Sequence, residues 1–243
     1  MTSFDDMPTI YQLVFLGGIL AFCRMALLAY RRIHIMTIRK TIRDIVDQLA
    51  VLYKLENPFK VSADYRKEQK LDQEEYIYGE IMLASFTEIL SHANPQPHEN
   101  YYDLGCGSGK SVFLAALLYD KINTHGIEIL PPMYDLDIKL LNNLKEQLKS
   151  HPKFKINPLN IHFYNDDIFE FDFSNADIIF INATCYSKKS WEKIEGKFKK
   201  LKKGARIIVN TKKLEDSCFK PIHGRYYLMS WGASYVRIYL KTK

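Results

Sequence analysis

The stretch that most constrains this chain is Asn100-Tyr101-Tyr102-Asp103-Leu104-Gly105-Cys106-Gly107-Ser108-Gly109. It reads as an apolar strand, an acid and glycines at alternate positions, followed by a helical pattern over Ser111–Tyr119. Three glycines let the backbone turn sharply and approach a ligand, and the helix behind them offers free N–H groups. Two ligand classes fit poorly. A phosphate loop of the G-x-x-x-x-G-K-[ST] type is completed by Gly109-Lys110-Ser111, but its first glycine falls on Leu104. The later strand Ile178–Asn182 also lacks a terminal magnesium-binding Asp. A dinucleotide loop spaces its glycines G-x-G-x-x-G, whereas here they run G-x-G-x-G.

Around this loop the chain alternates strands and helices. Strands are expected at Asn100–Leu104, Thr124–Ile129, Leu159–Tyr164, Ala176–Asn182 and Ala205–Asn210. Helices are expected at Ile81–Ser91, Ser111–Tyr119, Met133–Leu148 and Ser187–Leu201, and Tyr226–Ser230 with Tyr235–Lys241 forms a closing antiparallel hairpin. The pattern predicts an α/β fold whose largely parallel sheet carries helices on both faces. With 243 residues, 47% of them hydrophobic, the chain supports one such domain plus an appendage. Its 4 cysteines are far apart with no C-x-x-C pair, so neither a disulfide framework nor a metal site is expected.

The appendage is N-terminal. From Ile10 to Tyr30 only Gln12 and Arg24 are clearly polar, and as a helix this run would span about 31 Å, close to a bilayer core. Arg31, Arg32, Arg39, Lys40 and Arg43 follow, which places the rest of the chain on the cytoplasmic side. Residues 1–33 are therefore expected to be a membrane anchor. Residues 34–75 are expected to be an amphipathic helix followed by a linker from Lys60 to Glu75, broken at Asn57-Pro58. Residues 76–243 would form the main domain. The lysine-rich stretch Lys188–Lys203 has a buried stripe of Trp191, Ile194, Phe198 and Leu201, so its lysines read as a solvated face and not as a nucleic-acid footprint.

The string Asp103-Leu104-Gly105-Cys106-Gly107-Ser108-Gly109 resembles the first motif of the class I, seven-strand methyltransferases that use S-adenosylmethionine. That resemblance implies a Rossmann-like sheet. It also implies that Gly105, Gly107 and Gly109 make room for the cofactor's amino-acid part and ribose, while Asp103 fixes its methionine end. Glu128 ends the next strand about 25 residues beyond Asp103, a spacing that suits an acid accepting from ribose hydroxyls. Within Asn165-Asp166-Asp167-Ile168, either Asp167 or Asp166 would accept from the adenine amino group, with Ile168 against the ring.

A closer resemblance is to the non-SET histone lysine methyltransferases, the disruptor-of-telomeric-silencing (Dot-type) family. It rests on Tyr78-Gly79-Glu80, the Asp103–Gly109 loop, the strand end Ile178–Tyr186, Lys203-Gly204-Ala205-Arg206-Ile207-Ile208 and Ser230-Trp231, in that order. It implies that Glu80 binds the cofactor ammonium and that Asn182 sits at the mouth of a lysine channel. Tyr186 and Trp231 would form part of the channel wall, although each also reads as plain core. The chain departs from the family on the acceptor side. It has Ala183 and Thr184 where the family has Asn and Phe, and Ile238 where it has an aromatic. The N/D-P-P-Y/F motif of adenine and glutamine methyltransferases is absent at Asn182–Tyr186.

The expected function is methyl transfer from S-adenosylmethionine to a protein lysine, on a histone-type or a membrane-associated substrate. The second possibility follows from a likeness to the mitochondrial lysine methyltransferases of membrane carriers and an ATP synthase subunit, which combine an N-terminal apolar segment with a similar core. The alternatives are a small-molecule or lipid methyltransferase at a membrane and a degenerate cofactor-binding scaffold.

Overall fold

The computed structural model describes residues 9–149 and 160–243. Two helices lead, α1 (Thr9–Tyr53) and α2 (Pro58–Glu68), and α3 (Leu83–Ala93) enters the sheet. The alternation follows as β1 (Asn100–Leu104), α4 (Lys110–Leu118), β2 (Asn123–Glu128), α5 (Pro131–Lys149), β3 (Ile161–Asn165) and β4 (Ile178–Asn182). It closes with α6 (Lys188–Phe198), β5 (Arg206–Asn210), β6 (Phe219–Met229) and β7 (Gly232–Lys241). These strands form one 7-stranded sheet in the order β3-β2-β1-β4-β5-β7-β6, parallel through β5 and antiparallel at β7 and β6. The strand order reverses between β1 and β4, where an open parallel sheet leaves a crevice beyond its carboxyl ends.

The central strands are apolar on both faces because helices cover both. Tyr101, Ile178, Phe180, Ile208 and Ile238 face the layer built by α3, α4 and α5, with Phe86 and Phe180 at a ring separation of 4.7 Å. Tyr102, Ile179, Ile181, Ile207 and Val209 face Trp191, Ile194 and Phe198 of α6. Each fully buried side chain of this size contributes about 1.5–3 kcal/mol. Ser187 caps α6 by accepting from the Ser190 N–H at 3.1 Å.

Three expectations change. The expected linker from Lys60 lies largely within α2. The Asn-Pro pair that reads as a helix breaker is here a helix start: Asn57 Oδ1 accepts from Lys60 N–H at 3.0 Å, and Pro58 takes the first helical position, where its missing N–H costs nothing. The last hairpin begins at Phe219 and not at Tyr226. Its first half is an exposed edge without alternation, and Pro221 sits where the pairing register slips, so no strand period is visible there.

The third concerns the N-terminus. The run Ile10–Tyr30 does not form a separate span. It belongs to the backbone of α1, which continues to Tyr53, and among the described residues no helix is long and apolar enough to cross a membrane. The side chains of residues 10–22 lie outside the described residues. The compact unit containing the sheet begins at Ile45, and the described residues before it form a unit of their own. Ile45, Leu49, Leu52 and Tyr53 are buried in the sheet-bearing unit.

Replacing Asn57 with alanine removes the cap of α2 and should lower stability by about 1 kcal/mol. Urea unfolding of both proteins checks this, and equal midpoints would mean that packing against α5 alone holds α2.

Candidate active site

A cleft opens at the carboxyl ends of β1, β2 and β4 and encloses about 1170 Å³, its open mouth included. That is ample for a nucleoside carrying an amino acid, since small-molecule sites run from roughly 300 to 1,000 Å³. The glycine loop forms its floor. Gly105 and Cys106 both donate backbone N–H groups to Ile127 O, at 2.9 and 3.0 Å, which presses the loop onto β2. Gly105, Gly107 and Gly109 all hold positive φ, at 79°, 60° and 69°, the left-handed region that glycine tolerates best.

Only one of the three glycines faces open space. A Cβ on Gly105 would meet nothing nearer than Tyr186 Oη at 3.6 Å. On Gly107 it would stand 2.3 Å from the Tyr78 ring, and on Gly109 2.8 Å from the Phe163 ring. Gly107 and Gly109 thus let protein side chains close on the loop, and Gly105 leaves room for a ligand.

Tyr78, seated on Gly107, organises one end of the cleft. Its hydroxyl lies 2.7 Å from both Glu80 Oε1 and Ser108 Oγ. Glu80 Oε2 accepts from Lys110 Nζ, and the two charged side chains are 12% and 19% exposed. The Glu80 segment is pinned from behind: Glu80 N–H donates to Ser230 Oγ at 3.0 Å, and Ser230 N–H donates to Glu80 O at 2.9 Å. Trp231 does not line the cleft. Its ring covers Gly79 from the back, 2.7 Å from where a Cβ would be, and it remains 39% exposed.

Two buried acids stand at the centre. Asp103 Oδ2 accepts from Ser111 Oγ, whereas Oδ1 is buried without a partner. Glu128 Oε2 accepts from Gly107 N–H at 2.8 Å and Oε1 from Leu130 N–H at 2.9 Å, which leaves each oxygen a second lone pair. Burial pushes both carboxyls up to about 7, against the opposing effect of these hydrogen bonds.

At the far end Asp167, Ile168 and Phe169 line the cleft. Asp166 does not, because its carboxylate folds back to accept from Asp167 N–H at 2.7 Å. The backbone of this segment is held by Lys197 of α6, whose ammonium donates to the carbonyls of Ile168, Phe169 and Phe171 at 2.9, 2.8 and 2.8 Å. At the mouth, Asn182 Oδ1 accepts from Asn210 Nδ2 at 2.7 Å and from Thr184 Oγ1 at 2.9 Å. Asn210 also fixes the turn, its Oδ1 accepting from Ala183 N–H at 2.8 Å. Tyr186 closes this side, and burial raises its hydroxyl pKa.

A sequence model of the family described as histone methylation protein DOT1 matches residues 61–226. This chain belongs to the DOT1 family. It is 30% identical over 152 residues to a Dictyostelium discoideum protein named histone-lysine N-methyltransferase, H3 lysine-79 specific, covering 60% of this chain and 8% of that one. A Debaryomyces hansenii protein of the same name is 27% identical over 184 residues, covering 68% of this chain and 16% of the relative. The DOT1-family chain described here thus spans a small part of the length of these relatives. Its fold is that of a Salinibacter ruber RNA methyltransferase solved with S-adenosyl-L-homocysteine. The TM-score is 0.52 at 21% identity, over 66% of this chain and 92% of that one.

The cleft of this DOT1-family protein brings together Glu80, Asp103, Gly105, Gly107, Glu128, Asp167, Asn182 and Tyr186. Gly109, Asp166 and Trp231 support it from outside. Sequence reading missed Lys110, Lys197 and Asn210. Lys110 was weighed only as part of a phosphate loop, and Lys197 was counted with the solvated lysines. Asn210 carried a usable signal, since it ends the strand paired in register with Asn182.

The raised Glu128 pKa has a consequence for stability. The carboxyl holds its proton in the folded state up to about pH 7, whereas in the unfolded chain it loses it near 4.5. Its contribution is therefore complete below about pH 4.5 and is lost as the pH rises towards 7. Denaturation midpoints should fall more steeply between pH 5 and 7.5 in the natural protein than in Glu128→Gln, by on the order of 2 kcal/mol. Parallel pH profiles would place the titrating group elsewhere.

Proposed function

We propose that this chain transfers a methyl group from S-adenosylmethionine to the side-chain amine of a lysine in a protein substrate. The observation that carries the reading is the charge of the cleft. Glu75, Glu80, Asp103, Glu128 and Asp167 line it against Lys110 alone. Such a surface repels a polyphosphate and favours a ligand that brings positive charge. The cofactor fits the residues present: Asp103 Oδ1 is a buried acceptor without a donor, Gly105 leaves space beside it, and Glu128 has outward lone pairs suited to a diol. Family membership and the names of the relatives support a lysine acceptor on a histone-type protein.

When bound, S-adenosylmethionine supplies a methyl group on a sulfonium open to in-line displacement. The residues of the chain then do the positioning. Glu80 holds the amino-acid end, Glu128 accepts from the ribose hydroxyls, and Asp167 accepts from the adenine amine with Ile168 on the ring. Asn182, its oxygen tied down by Asn210 and Thr184, presents its amide N–H to the acceptor mouth. Tyr186 and Phe169 keep water away, which favours the neutral amine that attack requires over an ammonium of pKa near ~10.4. The attacking nitrogen forms its bond to carbon as the carbon–sulfur pair returns to sulfur, and the lysine proton leaves to solvent.

Incubation with a tritiated methyl donor and a protein extract should place label on lysine in protein. Label in the organic phase would instead indicate a lipid or small-molecule acceptor, and no cofactor binding would indicate a scaffold. Asn182→Ala should lower turnover at least tenfold with little change in cofactor affinity. An equal loss of both would place Asn182 in the cofactor site.

Localisation is a second part of this proposal. Residues 10–30 are apolar in sequence, Met25, Leu27, Leu28 and Tyr30 are exposed, and Arg32, Arg39, Lys40 and Arg43 follow, also exposed. An apolar segment beside a cluster of cations suits attachment to the anionic cytoplasmic face of a membrane. The full chain should float with anionic vesicles and do so less at high salt, and Leu27→Asp with Leu28→Asp should weaken flotation. Sedimentation of the natural chain away from every vesicle would end this part of the proposal.

A further inference from the structure

We infer that the Lys110–Glu80 ion pair is an internal stand-in for the amino-acid end of the ligand. In this exchange Glu80 trades the Lys110 ammonium for the α-ammonium of the ligand, and Lys110 takes the α-carboxylate. The inference rests on the cofactor assignment proposed above and adds to it a residue, Lys110, that selects for the carboxylate.

Lys110 is the first residue of α4, directly after Gly109. A cation at a helix N-terminus opposes the helix dipole, so local helix energetics do not account for it, whereas an anion there is favoured. Among the described residues lining the cleft, Lys110 is the single Lys or Arg. Its ammonium is held on Glu80 Oε2 and stands 4.8 Å from the centre of the Tyr53 ring. The Tyr78 hydroxyl holds the other Glu80 oxygen, so Lys110 can leave without the carboxylate losing its position.

The pair also limits what can replace it. A ligand offering only an ammonium to Glu80 would strand the Lys110 charge, in a mostly buried site, without a counter-ion, and breaking a buried pair in this way is costly. A ligand offering only a carboxylate would strand Glu80. A group that carries both charges on one carbon satisfies both partners together. The amino-acid end of an S-adenosyl ligand is such a group, and a nucleoside without it, or with the amine alone, is not.

Calorimetry on the full chain with S-adenosylhomocysteine and with its decarboxylated counterpart, S-adenosyl-3-thiopropylamine, tests this directly. The natural protein should prefer the former by about 100-fold, the range expected of a partly buried charge-assisted contact. Lys110→Met and Lys110→Gln should reduce that preference to about threefold or less, and Lys110→Arg should retain most of it. Glu80→Gln should weaken both ligands together and leave the preference intact. Thermal melts identify any variant that fails to fold, and two neutral replacements keep the comparison decisive. A preference that persists in folded Lys110→Met or Lys110→Gln would overturn the role of Lys110 while leaving the cofactor assignment in place. Failure of the natural protein to bind S-adenosylhomocysteine would overturn the assignment itself, and the inference with it.

Discussion

The carboxylate of Glu128 ties the glycine loop to the neighbouring strand, and much of the site is set by that attachment. One oxygen takes the N–H of Gly107 and the other that of Leu130, so the end of β2 holds both the loop after β1 and the entry to α5. With Ile127 O accepting from Gly105 and Cys106, the loop has no slack. Gly107 is thereby placed where the Tyr78 ring can close on it, Tyr78 orients Glu80, and Glu80 receives Lys110. A carboxylate kept from water for this purpose is held near its titration point, since burial disfavours the charge that the hydrogen bonds favour.

Much of this could be read from residues alone. The strands were visible because a sheet covered on both faces demands apolar runs such as Ile178-Ile179-Phe180-Ile181, which little else in a chain of this composition imitates. Asp103 and Glu128 were legible because an acid at a strand end beside a glycine turn has few structural uses. What escaped reading depended on direction and not on residue type. Asn57-Pro58 ends one helix and starts another, and only packing against α5 shows that the second forms. Lys197 lies among lysines on α6, and the sequence does not show that this one turns inward onto three carbonyls. Trp231 neighbours the site in space yet stands behind Gly79, a placement set by the pairing of β6 with β7 and by the Ser230–Glu80 contacts.

The departures on the acceptor side have a structural counterpart. Where the family resemblance leads one to expect Asn and Phe, Ala183 is buried and donates its N–H to Asn210, and Thr184 bonds to Asn182 and lies 3.2 Å from Thr211 Oγ1. The small residues leave the mouth less aromatic and shift the task of orienting Asn182 onto a polar chain that runs across β4 and β5.

The predominance of acids in the cleft also bears on what happens after transfer. A sulfonium that gives up its methyl group becomes a neutral thioether, so the spent nucleoside leaves with one positive charge fewer than it had on entering. The same acids that draw the donor in then attract the by-product less strongly. On this reading the wall of carboxylates favours renewal of the donor over retention of its remnant, so that turnover needs no separate device to clear the site.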